Sequence, residues 1–152
     1  LRCHVRGSQV ELWLEQHWKQ GRSGFSLPLR LIISLEEGHC LMYIEFRTKK
    51  LRRVCECERQ ARREYGPENA KKLVQRLNEI MASENLFQLM QIPAARCHPL
   101  TGDRDGQWAV DLCHPYRLIF EPAGDQSKYL VGGHVDVRKV TRVRILRIED
   151  YH

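Results

Sequence analysis

Apolar residues in the middle of the chain recur at the spacing that is typical of amphipathic helices. The strongest example follows Gly66 and Pro67, where apolar side chains stand three and four residues apart and therefore share one helix face. Pro67 suits the first turn of this helix, and Gly66 ends the helix before it. The face predicted to be buried consists of Ala70, Leu73, Val74, Leu77, Ile80 and Met81.

Two more helices are predicted on either side of this one. Thr48 can cap the earlier helix, which is rich in arginine on the side away from its apolar residues. Ser83 is the predicted cap of a short helix over residues 84–90, and Pro93 is expected to end it. The apolar side of the earlier helix consists of Leu51, Val54, Cys55 and Ala61.

A period of two replaces the helical period in the second half of the chain, where Asp105 and Gly106 form a predicted turn. One strand follows this turn, and the next is expected to run antiparallel to it. Strands are also predicted over residues 42–46 and 143–148, and residues 122–141 form a long connection. The predicted faces are Trp108, Val110 and Leu112 on the first strand, and Tyr116, Leu118 and Phe120 opposed to Arg117, Ile119 and Glu121 on the second.

These elements predict an α+β domain. An N-terminal strand and a helical hairpin are expected to pack on a three- to four-stranded antiparallel sheet. Residues 1–41 lack the order that begins at Met42, and the stretch 36–38, Glu-Glu-Gly, can be encoded by a purine-rich ribosome-binding sequence shortly before that methionine. We therefore predict that residues 1–41 are a mistranslated leader or a flexible N-terminal extension, and that residues 42–152 form the functional domain.

Composition excludes a disordered chain, because 42% of the residues are hydrophobic and 29% are charged. The net charge is +6, and +5 of it belongs to the residues from Met42 onward. This excess suits a polyanionic partner, although an ordinary basic surface explains it equally well.

The six cysteines do not follow the spacing of a zinc site. Cys55 and Cys57 would point in different directions from a helix, so a joint metal site is not expected, nor is any other cofactor. Neither a secretory signal nor an apolar run of roughly 18 residues is visible, so a cytoplasmic protein with free thiols and no membrane contact is the expectation.

Three polar clusters carry the candidate chemistry. An antiparallel sheet can bring a loop, a strand centre and a strand end onto one concave face. Such a face suits RNA cleavage without a metal, because imidazoles can transfer protons while guanidiniums stabilise charge that develops on the phosphate. The clusters are His98 with Asp103, Arg104 and Trp108, then Arg117, and finally Asp150 with Tyr151 and His152.

Each of these residues also has a structural interpretation. His98 can orient the turn before Pro99, Trp108 can belong to the core, and the chain end can be frayed surface. Arg117 can pair with Asp111 or with Asp150. The arginine-rich segment of residues 47–63 can be a solvated helix face.

The stretches "HPLTGDRDGQW", "YRLIF" and the terminal "ILRIEDYH" resemble the HigB branch of the RelE/ParE superfamily of bacterial toxins, also described as plasmid maintenance killer proteins. The resemblance covers residues 42–152. It implies a compact RelE-like fold and a ribosome-dependent mRNA endoribonuclease that needs no metal. It also implies a helix-turn-helix antitoxin of the HigA type, and contact with operator DNA only through the complex with that antitoxin.

The resemblance also implies the site residues. Arg104 lies in the shared loop as a candidate phosphate contact, and which histidine is the base stays open. Thr101 stands where some relatives carry a lysine. The positions that match the active site of the family are His98, Arg117, Asp150, Tyr151 and His152.

Two other functions compete on the same scaffold, namely a non-enzymatic gyrase poison of the ParE type and an inactive basic RNA-binding module. The paired histidines and the terminal tyrosine favour the enzyme, because a binding protein does not need proton-transfer groups.

Overall fold

The computed structural model describes residues 42–150. The predicted leader at residues 1–41 and the last two residues, Tyr151 and His152, lie outside this described part. Within it, helices pack on one face of a sheet, so the predicted α+β class is confirmed.

The main sheet has five strands and is mixed rather than purely antiparallel. In space its strands follow the order β1, β7, β4, β3, β2, and β1 runs parallel to β7 while the other pairs are antiparallel. The predicted antiparallel part is therefore correct, and the N-terminal strand joins it as a further member. The strands are β1 (Tyr43–Phe46), β2 (His98–Pro99), β3 (Trp108–Asp111), β4 (Tyr116–Pro122) and β7 (Arg142–Asp150).

The long connection before β7 contains a small hairpin of its own, made of β5 (Leu130–Val131) and β6 (His134–Val135). It is tied to the helical layer, because Phe87 N–H donates to the Val137 carbonyl and the Arg138 guanidinium lies 3.8 Å above the Phe87 ring.

Three helices cover one face of the sheet, namely α1 (Lys49–Glu56), α2 (Glu58–Ala82) and α3 (Leu86–Met90). Thr48 caps α1 as predicted, since its hydroxyl accepts from Leu51 N–H at 3.1 Å. The predicted break at Gly66 is also confirmed, because this residue has a φ of +84° inside α2, which glycine adopts without strain. Short 3₁₀ turns occupy Pro93–Ala95, Gly102–Arg104 and Gln126–Lys128.

The predicted cap of α3 was wrong. Asn85 caps this helix, because its side-chain oxygen accepts from Gln88 N–H at 2.9 Å. Ser83 instead ends α2, where its hydroxyl donates to the Glu79 carbonyl at 2.8 Å. Both residue types suit an N-cap, and the helix begins two residues later than expected. Pro93 opens a 3₁₀ turn, since α3 has already ended at Met90.

The core lies between the helices and the sheet. Alternation along β3 and β4 works as predicted. Along β7 the register shifts opposite Ile119 and Phe120, so Leu146 is an extra residue. This β-bulge lets Ile145 and Ile148, which are three positions apart, both face the helices. The strand residues on the helix-covered face include Trp108, Val110, Leu118, Phe120, Val143 and Ile145.

The opposite face of the sheet is called the open face below, because no helix of residues 42–150 packs on it. A short apolar strip runs across it, and charged side chains surround that strip. The strip consists of Leu100, Ala109, Ile119 and Leu146.

Candidate active site

His98 lies on the open face, where β2 pairs it with Ala109 of the apolar strip. Its ring nitrogen Nδ1 is 2.7 Å from the Arg96 carbonyl oxygen. A carbonyl oxygen only accepts hydrogen bonds, so Nδ1 must carry the proton. Nε2 is therefore the ring nitrogen that remains for proton transfer to or from a substrate.

The backbone of Arg96 is what brings this carbonyl to the ring. Arg96 follows the 3₁₀ turn Pro93–Ala95 and has a φ of +47°. Among residues 42–150 no other residue except glycine has a positive φ. Such a left-handed conformation costs on the order of 1 kcal/mol for a residue with a Cβ and persists only where its surroundings hold it.

Arg96, Asp111 and Arg117 form one charged group. Arg117 Nε lies 3.1 Å from Asp111 Oδ1, and Arg96 Nε lies 3.4 Å from Oδ2. The first contact is an ion pair without hydrogen-bond alignment. Of the two partners that the sequence left open for Arg117, the structure therefore selects Asp111.

Arg104, Glu149 and Arg147 form a second charged group. Both terminal nitrogens of Arg104 donate to the Glu149 carboxylate at 2.8 Å. Arg147 Nε lies 3.4 Å from Glu149 Oε2, and Arg147 Nη2 donates to Gln107 Oε1. The fork of Arg104 is thus engaged by a carboxylate, which holds the side chain over the sheet.

The register of the sheet brings the two groups together. Asp111 pairs with Arg117, and Arg117 pairs with Glu149, so three strands place these side chains in one row on the open face. Each carboxylate lies between two arginines, and the four guanidiniums exceed the two carboxylates by two positive charges. His98 stands beside this row, on the order of 10 Å from Arg117 by strand spacing. An anion such as a phosphodiester is the ligand that this charge favours.

The other end of the open face is charged but balanced. Glu45 contacts Arg142 at 3.4 Å and Arg144 at 3.1 Å, and Glu121 lies 3.5 Å from Arg144. Two carboxylates offset two guanidiniums here, so the positive excess of the open face is confined to the end that carries His98.

The structure brings three of the sequence-predicted residues to one face, namely His98, Arg104 and Arg117. Asp150 pairs with Tyr116, whose ring packs edge-on against Tyr65 at 5.4 Å on the helix side. Strand alternation thus puts Asp150 on the helix-covered side. Tyr151 and His152 lie outside the described residues, so their roles stay predictions.

Sequence reasoning missed four residues of this site: Arg96, Asp111 as a site residue, Arg147 and Glu149. The sequence did contain a signal for Arg147 and Glu149, because a period of two along the last strand places both on the face opposite to Asp150. Arg96 could not be found this way, since its role depends on a backbone conformation.

Within residues 42–150, no three His, Cys, Asp or Glu side chains are grouped so that they could hold a metal ion. Burial raises the pKa of both the Cys55 and the Cys97 thiols to about 12, so these cysteines are poor nucleophiles. No helix of the described chain is long and apolar enough to span a membrane.

Comparisons with known proteins give a family match and similar solved structures. The family model of HigB-like toxins, described as the RelE-like toxin of type II toxin-antitoxin system HigB, matches residues 44–137, which is more than half of the chain. No curated protein sequence matches the chain. One similar solved structure is a YoeB/ParE toxin from Agrobacterium tumefaciens, with 10% identity and a TM-score of 0.42 over 73% of this chain and 100% of that one.

Proposed function

Because the chain belongs to the family of HigB-like toxins of type II toxin-antitoxin systems, we propose that it is a ribosome-dependent mRNA endoribonuclease. Membership of this family implies an antitoxin as a partner. The finer assignment, cleavage of mRNA in the ribosomal A site without a metal, is our inference from the residues of the open face.

One observation carries this proposal, namely an imidazole with a defined tautomer beside a row of guanidiniums that carboxylates hold in place. His98 has its Nδ1 bonded to a carbonyl, so Nε2 can accept or donate a proton. Arg117 and Arg147 come from neighbouring strands, and each contacts one carboxylate, Asp111 for Arg117 and Glu149 for Arg147. Guanidiniums arranged in advance stabilise charge more effectively than mobile ones, because they need no reorganisation during the reaction.

The reaction that fits these groups is transesterification within the RNA. A base takes the proton of a 2′-hydroxyl, the oxygen attacks the adjacent phosphorus, and the bond from phosphorus to the 5′ oxygen breaks. An acid then protonates the departing 5′ oxygen, which leaves a 2′,3′-cyclic phosphate and a 5′-hydroxyl. His98 serves as one of the two proton-transfer groups, and Arg117 with Arg147 stabilises the charge on the phosphorane.

The chain end is proposed to supply the remaining groups. Tyr151 and His152 follow β7 directly, and β7 carries two residues of the charged row. His152 is our candidate for the second proton-transfer group, while Tyr151 orients the RNA. Asp150 has no role in this proposal, because it lies on the helix-covered side of the sheet. The expected partners are mRNA on the ribosome and a helix-turn-helix antitoxin, through which the complex contacts operator DNA.

Cleavage by the purified full chain tests this function. The protein is incubated with mRNA in the presence and absence of translating ribosomes, and the new RNA ends are identified. We expect cuts only with translating ribosomes, and ends that carry cyclic phosphate and 5′-hydroxyl groups. Ends with 3′-hydroxyl and 5′-phosphate groups would contradict attack by the 2′-oxygen.

Histidine variants sharpen the test. His98→Ala should reduce the cleavage rate by about 10²–10⁴-fold, the usual contribution of a general acid or base. His134→Ala is the matched control, because His134 is exposed in the separate β5–β6 hairpin, and it should leave the rate unchanged. A wild-type protein that binds RNA without cutting it, or that causes DNA breaks in cells without mRNA cuts, would refute the endoribonuclease and favour one of the two competing functions.

A further inference from the structure

Arg76 is a charged side chain in an unusual place. It lies on the sheet-facing side of α2 and is only 2% exposed. Among residues 42–150 it is the one Lys, Arg, Asp or Glu residue in the buried set. A buried guanidinium needs a full set of partners, because losing water costs several kcal/mol unless hydrogen bonds and an opposite charge replace it.

The guanidinium of Arg76 reaches three separate segments. Its Nε donates to the Asp111 carbonyl at 2.8 Å, at the end of β3. Its Nη2 donates to the Ala94 carbonyl in the 3₁₀ turn before β2, and Nη1 donates to both carboxylate oxygens of Glu79 at 2.9 and 2.7 Å. One rigid plane therefore joins α2, the end of β3 and the turn that precedes His98.

Both carbonyl contacts belong to backbone segments that also carry residues of the open-face site. Ala94 is two residues before Arg96, whose left-handed backbone presents the carbonyl that bonds His98. Asp111 carries the carboxylate between Arg96 and Arg117. Arg76 thus fixes, from the helix side, the two backbone segments that orient His98 and the first charged group.

Stability alone is a weak reason for this arrangement. Replacing a buried ion pair by apolar residues of similar volume is often neutral or even stabilising. An apolar residue at this position could not hold the two carbonyl oxygens at a defined separation, because it has no hydrogen-bond donor. Lysine could not do so either, because an ammonium lacks the planar fork that reaches several acceptors at once.

We propose that Arg76 is a positioning residue that fixes the Ala94–Arg96 turn against the end of β3 and thereby sets the His98 tautomer and the placement of the first charged group. The activity readout of this proposal rests on the proposed function, whereas the structural readout does not. Arg76 itself touches no substrate.

The first readout is the tautomer of His98, measured by ¹⁵N NMR of the imidazole at a pH at which the ring is neutral. The wild-type protein should carry the proton on Nδ1. Arg76→Lys keeps the charge but loses the fork, so a substantial share of the Nε2–H tautomer should appear. An unchanged Nδ1–H tautomer in folded Arg76→Lys protein overturns the proposal.

A second variant tests the same proposal if Arg76→Lys fails to fold. The double variant Arg76→Met, Glu79→Leu replaces the ion pair by apolar side chains of similar size, and it should show the same tautomer change in a folded protein. The matched control is Ser83→Ala, which removes the buried hydrogen bond to the Glu79 carbonyl and touches neither Ala94 nor Asp111. It should keep the wild-type tautomer.

The second readout is cleavage on translating ribosomes. Both Arg76 variants should lose about 10²-fold in kcat with an unchanged KM, because small displacements of reacting groups slow chemistry without removing contacts to RNA. A tautomer change in the Ser83→Ala control, or unfolding of both Arg76 variants, would reduce Arg76 to a stability residue and contradict the proposal. If the tautomer changes while wild-type protein fails to cut RNA, the positioning role stands and the endoribonuclease assignment fails.

Discussion

The two faces of strand β4 differ in their surroundings, because one is buried under the helices and the other carries charged side chains. Leu118 and Phe120 point toward the helices and are fully buried in the main core. Arg117 precedes Leu118 on the same strand, but its side chain lies on the open face and contacts Asp111. Residues that are neighbours in sequence therefore lie in two different environments, one buried and apolar, the other charged and partly exposed.

Because of this difference, the two faces contribute differently to the stability of the fold and to the proposed reaction. Burial of large apolar side chains stabilises the fold, and a helical layer excludes water from them. On the open face the charged side chains are partly exposed and each carboxylate is shared by two arginines, so each pair adds little net stability. Changes to apolar residues on the helix-covered face should therefore act through folding, whereas changes to the charged groups near His98 should act through the reaction.

The largest effect is expected for Phe120→Ala. Phe120 is 0% exposed in the main core, so its removal leaves a cavity and should lower the free energy of unfolding by about 3–5 kcal/mol. Urea denaturation followed by circular dichroism measures this loss. A loss below about 1 kcal/mol would mean that the two faces do not differ in the way described.

Arg117→Ala should show the reverse pattern. The side chain is 28% exposed and Asp111 keeps Arg96 as a partner, so we expect a stability change below about 1 kcal/mol. Cleavage on ribosomes should fall about 10²-fold, because one charge-stabilising group is lost. Arg142→Ala, in the charge-balanced end of the open face, is the control and should retain activity. Equal losses for both variants would remove the distinction between the two ends.

Thiol labelling gives a third and milder comparison. Cys55 and Cys97 belong to the main core with a pKa raised to about 12, whereas Cys57 and Cys113 are partly exposed. Iodoacetamide at mildly alkaline pH should modify Cys57 and Cys113 in the native protein, and all four only after denaturation. Mass spectrometry of peptides identifies the sites. Early labelling of Cys97 would show that the helical layer opens readily.

The smallest effect is expected at Asp125, which lies in the connection and outside both faces. The hydroxyl and the backbone N–H of Ser127 donate to its carboxylate, which lowers the pKa of that group. The stabilisation is complete above the ordinary carboxylate pKa and is lost as the pH falls through the lowered value. Asp125→Asn should therefore be slightly less stable than wild type at neutral pH, and the difference should vanish at strongly acidic pH. Urea midpoints across this pH range measure it, and a difference that grows toward acid would contradict the sign.

Local signals explain why much of the fold could be predicted. The alternation through Trp108 and Phe120, the cap at Thr48 and the break at Gly66 all depend on residues close in sequence. The parallel pairing of β1 with β7 joins residues about 100 positions apart and has no local signature. The bulge at Leu146 was hidden for a similar reason, because only the partner strand reveals that a residue is extra.

The placement of three candidate residues on one face could be predicted, but their contacts could not. Residue types and order pointed to His98, Arg104 and Arg117 on one face, and all three lie there. That Arg104 grips Glu149, and that Arg96 presents its carbonyl to His98, depend on contacts across strands and on one left-handed backbone angle. Periodicity carries no information about either.

The position of β7 has a consequence for folding during synthesis of the chain. This strand lies between β1 and β4, yet among residues 42–150 it is the last strand to be synthesised. A nascent chain that ends at residue 141 still lacks Arg147 and Glu149, and its β1 lacks the one strand of the main sheet with which it pairs. The charged row therefore cannot assemble before the chain has been synthesised through β7, and every shorter nascent chain lacks its second charged group.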